Sequence, residues 1–256
     1  GRCHGAFLVV GLARCGADAG RDQLDVVAQL GAEHLDFLRG AVRIYEAFRH
    51  YARRYAAQAQ DLGHCQAAAR CRAIAEGPPE GFAESLQLIW LVGHVYCTML
   101  AVNPTLTFGR LDVLLRDAYR RDLAQGHLTR AEAGELIADF YDKNNLILGR
   151  GEHQMSGGSA TDTGWHRNLT YDAPQYVVLA GTRPDGSAVA DDLTNLFLER
   201  VNPGYENPVV VLRYSKDLPD ATWRLACEKM RDNASFMVYN DENVIPAMRH
   251  CGVSAD

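Results

Sequence analysis

No apolar run in these 256 residues approaches the roughly 20 that a membrane-spanning helix needs. The longest candidate, Leu86 to Leu100, is interrupted by Gln87, Gly93 and His94, which predicts a buried helix. Excess positive charge is also missing, since the formal net charge is −6 and the Arg residues are scattered among acids. Phosphate contacts need clustered Lys and Arg. We therefore expect neither a membrane nor a nucleic acid among its partners.

Ordered cysteine motifs are absent as well. The chain has seven cysteines at irregular spacing and contains no Cys-x-x-Cys. An odd, irregular set is neither a disulfide framework nor a zinc or iron–sulfur ligand set. The simplest interpretation is reduced thiols in a cytosol, mostly buried as small apolar residues. We expect a cytoplasmic protein with no metal site.

Self-contained catalytic motifs are missing too. There is no Gly-x-Ser-x-Gly of a hydrolase, and Gly149-x-Gly151 lacks the third glycine of a dinucleotide fingerprint. Glu152-His153 lacks the second histidine of a helical zinc motif. A glycosidase needs two acids that converge on one bond. The acid pairs Asp191-Asp192 and Asp241-Glu242 do not meet this need, because adjacent side chains point in different directions. Asp191-Asp192 is typical of the acidic first turn of a helix.

The first part of the chain has helical patterning. Apolar residues recur at three- and four-residue spacing over 22–76, and Gly31 and Gly40 predict a division into two or three helices. Residues 80–99 form a further helical pattern, with an apolar inner face that includes Phe82 and Leu86.

Two more helices follow, and each has a terminal signal. Leu111 to Gln125 is helical, with Gly126 in the position of a C-cap. Thr129-x-x-Glu132 is a capping box that predicts the start of a helix reaching about Tyr141.

The pattern changes after residue 145. Three short apolar runs, Tyr176–Ala180, Pro208–Tyr214 and Ser235–Tyr239, do not alternate strictly with polar residues. Strands of this kind are buried on both faces, as in a parallel sheet covered by helices. Helical stretches at 191–200 and 220–232 separate them. The order of elements predicts a helix-rich α/β fold.

Six different sequence blocks follow one another from residue 82 onward, and their order is informative about the family. They are Phe82–Trp90 (FAESLQLIW), Gly109–Asp112 (GRLD), Tyr119–Thr129 (YRRDLAQGHLT), Leu179–Gly186 (LAGTRPDG), Asp192–Glu199 (DLTNLFLE) and Asn240–Pro246 (NDENVIP). Together they resemble the glycyl radical enzymes, the superfamily of pyruvate formate-lyase and the related glycerol, diol and choline-type lyases. The first 75 residues fit the resemblance more loosely.

The resemblance implies a fold and a domain organisation. The fold would be an N-terminal helical layer plus the first half of a ten-stranded α/β barrel. Residues 1–256 would be part of one pyruvate formate-lyase-like domain, with about 1–145 mainly helical and 146–256 a strand–helix half-barrel. Because the sequence starts at Gly1 and ends after the helix-start signal Ser254 and Asp256, we expect this domain to be truncated at both ends.

The resemblance also implies a mechanism. A radical on a backbone glycine passes to a cysteine, whose thiyl abstracts hydrogen from a small polar substrate, and a C–C, C–O, C–N or C–S bond is cleaved. The barrel excludes water and oxygen from the radical. No cofactor is bound directly, because a separate radical-SAM activating enzyme with an iron–sulfur cluster installs the radical. The full-length enzymes act in anaerobic metabolism, and we expect a homodimer.

The reactive cysteine and the radical glycine have no counterpart among these residues. The family's Gly-Cys loop is expected after Asp256, and Cys251 does not match the reactive position. We therefore assign no catalytic residue within the chain and expect the chain by itself to be inactive. The Asn240–Pro246 block favours a lyase or dehydratase, and formate acetyltransferase is the alternative. A non-catalytic α/β scaffold or binding module, or a hydrolase using Glu152 and Asp241, stays open.

Five residues are candidates for substrate binding by their place in the resemblance. Thr105 and Thr107 lie in a loop just before Gly109, where relatives carry an acid and a serine that this chain lacks. Their hydroxyls can donate or accept hydrogen bonds, or both can cap a turn. Tyr171 and Tyr176 fall where relatives line the pocket with aromatic rings, and the alternative is core packing. His4 is a candidate hydrogen-bonding group.

Two further residues are expected to support the reactive loop. Asn240 and Asp241 end the last predicted strand, and the resemblance places them next to the cysteine loop. We expect them to brace that loop rather than to take part in the chemistry.

Overall fold

A computed structural model of the chain describes residues 32–97, 105–146, 175–233 and 235–253. The chain divides into two compact units, Gly1–Glu80 and Gly81–Asp256.

The described part of the first unit contains two helices, α1 (Ala32–Asp61) and α2 (Cys65–Glu76). They pack through small side chains, with Ala52, Ala56 and Ala68 buried. The predicted break at Gly40 is wrong, because α1 runs through it without interruption. A single glycine costs a helix only about 1 kcal/mol. The break lies instead at Gly63, which has a φ of +80°.

The described part of the second unit begins with four helices and the first strand. They are α3 (Phe82–Val95), β1 (Leu106–Arg110), α4 (Leu111–Leu114), α5 (Arg116–Gln125) and α6 (Arg130–Asn145). The predicted helix 111–125 is interrupted at Leu115. Gly126 caps α5 in the left-handed conformation, and Thr129 and Glu132 form the predicted capping box. These local signals are confirmed.

The rest of the second unit alternates strands and helices. They are β2 (Gln175–Ala180), α7 (Asp192–Glu199), β3 (Val209–Tyr214), α8 (Asp220–Asp232), β4 (Phe236–Asn240) and α9 (Asp241–His250). The four strands form one sheet in the order β1-β2-β3-β4, and every pairing is parallel. The prediction of a helix-rich α/β fold with a parallel sheet is confirmed. The remainder of a ten-stranded barrel stays a prediction.

The two faces of this sheet differ in burial. On one face Val177, Leu179 and Leu212 are fully buried in the main core, which also includes Leu193 and Phe197 of α7. The opposite face carries alternate residues of the same strands, and these are only partly buried. The expectation that the strands are buried on both faces is therefore wrong within the described residues. We refer to this less buried face as the open face.

No helix in the described ranges combines the length and the apolar character that crossing a membrane requires. Of the cysteines in those ranges, Cys71 and Cys97 are buried, whereas Cys65, Cys227 and Cys251 are exposed. The expectation that most thiols are buried is therefore wrong for the described residues. The exposed thiols lie on helix surfaces and at a helix end, where apolar packing does not require them.

Candidate functional site

Polar side chains collect at the edge where the four parallel strands end. Arg110 is the last residue of β1, and Arg213 is the penultimate residue of β3. Thr182 follows β2, and Asp241 follows β4 directly. Ligands of parallel α/β folds commonly bind at the carboxyl ends of the strands. This edge is therefore the candidate functional site.

Asp241 is the centre of the hydrogen bonding at this edge. Its carboxylate accepts from Arg213 Nε and Nη2, each at 2.9 Å, which is a bidentate pair. The backbone N–H and the hydroxyl of Thr182 also donate to its Oδ2, at 3.2 and 3.3 Å. Asp241 is only 2% exposed. The carboxylate thus ties the ends of β2, β3 and β4 together.

A strained turn at the end of β2 makes this arrangement possible. Ala180 has a φ of +59° and Gly181 a φ of +87°. The N–H of Ala180 is held by buried Asp112, whose Oδ2 also accepts from the Thr194 hydroxyl at 2.7 Å. A Cβ on Gly181 would lie 2.8 Å from Arg213 Nε. The absence of a side chain at Gly181 therefore lets Arg213 cross the end of β2 and reach its carboxylate partner.

Arg110 lies at the same edge, and among the described residues no carboxylate oxygen lies within ion-pair distance of it. Its Nη1 donates to the carbonyl oxygen of Thr182 at 3.0 Å. Its Nε and Nη2 are buried and have no hydrogen-bond acceptor among the described residues. Burial lowers the pKa of the Arg110 guanidinium and the nearby Arg213 lowers it further, whereas the carboxylates of Asp112 and Asp241 act in the opposite direction.

These residues line an open cavity of about 640 Å³. Five of its lining residues are cationic and two are carboxylates. The cations are Arg110, Arg183, Arg213, Lys216 and Arg249, and the carboxylates are Asp241 and Glu242. Val244 and Ile245 contribute apolar wall. The volume lies within the usual range for small-molecule sites. The cavity suits a small polar molecule, and its charge favours an anionic one.

The open face of the sheet carries two of the predicted substrate residues. Thr107 of β1 pairs in register with Tyr176 of β2, which pairs with Val209 of β3. The structure thus brings Thr107 and Tyr176 to neighbouring positions. Thr107 lies in a strand rather than in the predicted loop, and Thr105 is exposed one residue before that strand.

The remaining predicted site residues divide into two groups. His4 and Tyr171 lie outside the described residues. Asn240 ends β4 as predicted, and its side chain accepts from the backbone N–H of Glu242 at 3.0 Å, so it caps α9. Asp241 was also predicted to end the strand, but it is the first residue of α9.

Arg110 and Arg213 are the site residues that reasoning from sequence missed. A signal was present for Arg213, which is a charged residue near the end of the apolar run Pro208–Tyr214. The carboxyl ends of parallel strands meet at one edge, so such residues are expected to converge. Because the strand that contains Arg110 was interpreted as a loop, the convergence was not predicted.

The described part offers no other obvious chemical centre. Within it, no three His, Cys, Asp or Glu side chains gather as a metal ion would require. Burial raises the pKa of Cys97 to about 11, although a hydrogen bond with Gln175 acts in the opposite direction. That thiol stays protonated near neutral pH. The chemistry that the described residues offer is therefore hydrogen bonding and charge at the carboxyl edge of the sheet, which can bind and orient a polar molecule.

Comparison with known proteins relates the chain to one group of enzymes. A family model described as pyruvate formate lyase-like matches residues 8–256. An isethionate sulfite-lyase from Nitratidesulfovibrio vulgaris is 26% identical over 228 residues, which are 84% of this chain and 26% of that protein.

Two solved structures are similar in fold. One comes from a study of 1,2-propanediol dehydration in Roseburia inulinivorans. It has a TM-score of 0.70 at 22% identity, and the match covers 96% of this chain and 29% of the other. The second is a glycyl radical enzyme from Archaeoglobus fulgidus, with a TM-score of 0.64 at 20% identity, covering 82% of this chain and 27% of the other. The chain thus spans about a quarter of the length of the curated relative described above.

Proposed function

The chain belongs to the pyruvate formate lyase-like family of glycyl radical enzymes, and we propose that it forms part of a lyase or dehydratase. The reaction would cleave a C–C, C–O, C–N or C–S bond of a small polar substrate after hydrogen abstraction by a thiyl. The family match across residues 8–256 carries this proposal. The similar proteins include a sulfite-lyase and an enzyme of diol dehydration, which cleave C–S and C–O bonds.

The described residues would serve as one wall of the reaction chamber. Thr107 and Tyr176 share the open sheet face, where a hydroxyl and a phenol can bind and orient substrate hydroxyls. Thr105, His4 and Tyr171 remain proposed substrate contacts. Asn240 and Asp241 would brace the neighbouring reactive loop, and the bidentate pair of Asp241 with Arg213 supports that role.

No residue of this chain is proposed as the thiyl cysteine or as the radical glycine, in line with the resemblance. The radical would be installed by a radical-SAM activating enzyme with an iron–sulfur cluster. The chain's residues would orient the substrate and keep water from it. We further propose one domain of this family across 1–256, a homodimer at full length and a location in the cytoplasm.

An activity experiment tests the proposal. The complete reading frame that contains this chain is expressed anaerobically with a radical-SAM activase, and the glycyl radical is sought by electron paramagnetic resonance. The activated protein is then offered glycerol, 1,2-propanediol, isethionate and trans-4-hydroxy-L-proline, with products followed by NMR. A radical signal with turnover of one of these supports the proposal. Turnover of pyruvate with coenzyme A instead would identify formate acetyltransferase, and no radical signal would reject both.

The substrate wall has its own test once a substrate is known. Thr107→Val and Tyr176→Phe each remove one hydroxyl from the open face and are expected to raise KM about five- to twenty-fold, the value of one or two hydrogen bonds. Tyr205→Phe is the matched control, because its hydroxyl donates to Asp142 away from the open face. Unchanged KM and kcat in both wall variants would remove these two residues from the site.

A further inference from the structure

Asp112 is a buried carboxylate whose hydrogen bonds serve the end of β2. It is the second residue of α4 and is fully buried. Its Oδ2 accepts hydrogen bonds from the backbone N–H of Ala180 at 2.8 Å and from the Thr194 hydroxyl at 2.7 Å. Its Oδ1 is buried and accepts no hydrogen bond from the described residues. Burial of a carboxylate with one unused oxygen is unfavourable, so a contribution to stability does not by itself account for Asp112.

The residue that Asp112 holds has a strained backbone. Ala180 has a φ of +59° and is the only non-glycine residue with a positive φ in the described ranges. The Cβ of an L-residue makes this left-handed conformation unfavourable, whereas glycine adopts it readily. Such residues persist only where the surrounding structure enforces them, and they cluster at functional sites. The hydrogen bond from the N–H of Ala180 to Asp112 is a contact that enforces this conformation.

The turn after Ala180 determines where Thr182 lies. Because peptide groups are planar, the backbone angles of Ala180 and Gly181 direct the N–H of Thr182. That N–H and the Thr182 hydroxyl donate to Asp241 Oδ2, at 3.2 and 3.3 Å. The carbonyl oxygen of Thr182 accepts from Arg110 Nη1 at 3.0 Å. A contact at Ala180 is thus transmitted over two residues to the carboxylate of Asp241.

Other contacts hold the rest of the connection between β2 and α7. Arg116 Nη2 donates to the carbonyl oxygen of Val189 at 2.6 Å. Arg116 Nε lies 2.7 Å from Asp191 Oδ2. Neither contact involves Asp112. We therefore expect that loss of the Asp112 carboxylate loosens the turn at Ala180 while the rest of the connection stays in place.

We propose that Asp112 is a positioning residue of the reaction. It holds the left-handed backbone of Ala180, and this sets Thr182 against Asp241, the residue expected to brace the reactive cysteine loop. The effect of Asp112 on the reaction rests on the proposed function. Its effect on the position of Thr182 is a property of this chain alone and is measured separately.

Charge balance is the alternative role for Asp112. Burial raises the pKa of this carboxyl, and the charges of Arg110 and Arg116 are among the influences that lower it. Two substitutions separate the roles, because Asp112→Asn removes the charge and keeps an acceptor oxygen, whereas Asp112→Ala removes both. If Asp112 positions the turn, Asp112→Asn should keep Thr182 in place. Equal effects of the two substitutions on Thr182 would refute the positioning role.

Amide hydrogen exchange on the 256-residue chain, followed by NMR, measures the position of Thr182. In Asp112→Ala the Thr182 N–H should exchange about three- to ten-fold faster relative to that of buried Leu212, the value of one hydrogen bond. Comparison with Leu212 removes any global loss of stability. Asp122→Ala is the matched control, because Asp122 is also buried and its Oδ2 accepts from the backbone N–H of Phe82 at 2.7 Å. Unchanged Thr182 exchange in Asp112→Ala, or equal acceleration in the control, would overturn the inference.

Relief of the strain at Ala180 gives a second test. Ala180→Gly makes the left-handed conformation easy to adopt, so it should reduce the acceleration of Thr182 exchange that Asp112→Ala causes. An Asp112 that only balances charge would not be rescued in this way. If Asp112→Ala does not fold by itself, the double variant is expected to fold, and its failure to fold would contradict the positioning role.

The consequence for the reaction is measured on the complete enzyme after activation. Asp112→Ala should lower kcat per glycyl radical spin about ten- to a hundred-fold with little change in KM, because small misplacements far from the chemistry have effects of this size. Asp112→Asn should retain kcat, and Asp122→Ala should match the unmodified enzyme. An unchanged kcat in Asp112→Ala would refute the role in the reaction. Failure of the unmodified enzyme to turn over any substrate would instead reject the proposed function, and Thr182 exchange would still decide the positioning role.

Discussion

Asp241 shows how one carboxylate can position several segments. It is almost fully buried and accepts four hydrogen bonds, two from Arg213 and two from Thr182. A buried ion pair costs desolvation when it forms, but removal of one partner leaves the other uncompensated. The pair therefore fixes geometry more than it adds net stability.

Replacement of Asp241 by Asn should be strongly destabilising. The substitution leaves Arg213 without its anion. We expect the free energy of unfolding to fall by about 2–3 kcal/mol. This is less than the loss for a fully buried ion pair, because the Arg213 side chain is 23% exposed. Urea unfolding followed by circular dichroism measures the change. Asp232→Asn breaks an exposed pair with Arg231 and should leave the midpoint unchanged. Similar midpoints for both variants would contradict the structural role of Asp241.

Gly181 is the second residue on which the edge depends. In Gly181→Ala, the new Cβ meets Arg213 at 2.8 Å in a backbone with φ of +87°. Left-handed strain and steric overlap should together cost about 2 kcal/mol or more. Gly186→Ala separates the two effects, because Gly186 has a φ of +85° with no atom within 4 Å of the added Cβ. We expect thermal unfolding to place Gly181→Ala clearly below Gly186→Ala, and equal values would leave backbone strain as the whole effect.

At the scale of elements, the start of α7 joins three helices. Asp191 caps it together with Thr194, as its predicted acidic first turn suggests. Asp192 accepts from the Tyr119 hydroxyl of α5 at 2.6 Å and from Arg130 Nε of α6 at 2.9 Å. The acidic turn was predictable from sequence, whereas its partners were not, because they lie more than 60 residues away in the chain.

The Asp192 contacts predict an acid-sensitive contribution to stability. Burial alone would raise the pKa of Asp192, but the hydrogen bonds from Tyr119 and Arg130 outweigh it and leave the pKa lowered. A carboxylate with a lowered folded-state pKa stabilises the fold above its unfolded value of about 3.9 and loses that contribution as the pH falls below it. Because Asp192 is half exposed, the effect should be roughly 0.5 kcal/mol.

Unfolding free energies between about pH 2.5 and 6 test this contribution, since that window brackets the unfolded-state pKa. Asp192→Asn should show a shallower decrease below about pH 4 than the unmodified chain. Tyr119→Phe removes one of the two donors and should give an intermediate slope. An unchanged slope in Asp192→Asn would show that this carboxylate does not control the acid response.

At the scale of the whole molecule, the sheet has an exposed margin. Among the described residues, β4 pairs only with β3. Its side chains Met237, Val238 and Tyr239 are 50%, 40% and 47% exposed. An exposed apolar edge strand is a template for pairing with another strand. The isolated chain is therefore expected to self-associate.

Met237→Lys should reduce this self-association. A charge on an edge strand opposes strand pairing. Light scattering coupled to gel filtration should show a shift from oligomers toward monomer. Leu62→Lys is the control, because Leu62 is also an exposed apolar residue but lies between α1 and α2. A chain that is already monomeric at high concentration would contradict the expected self-association.

Local signals in the sequence determined much of the architecture. The capping box at Thr129, the glycine cap at Gly126 and the three apolar runs each depend on near neighbours, so they could be interpreted without the fold. The block order also pointed to the family that the match over residues 8–256 establishes.

The tertiary structure alone decided the site. β1 was not predicted, because it is not an apolar run. Only Leu106 and Phe108 of its five residues have apolar side chains, and Thr107 lies between them. The register that places Thr107 beside Tyr176, and the edge that unites Arg110 with Arg213 and Asp241, depend on parallel pairing between distant segments. Local sequence patterns carry information about period and caps, but they do not determine which strand lies beside which. The order of the strands is determined by burial of their apolar side chains in the common core. The strand order in turn determines where the charged residues at the strand ends lie.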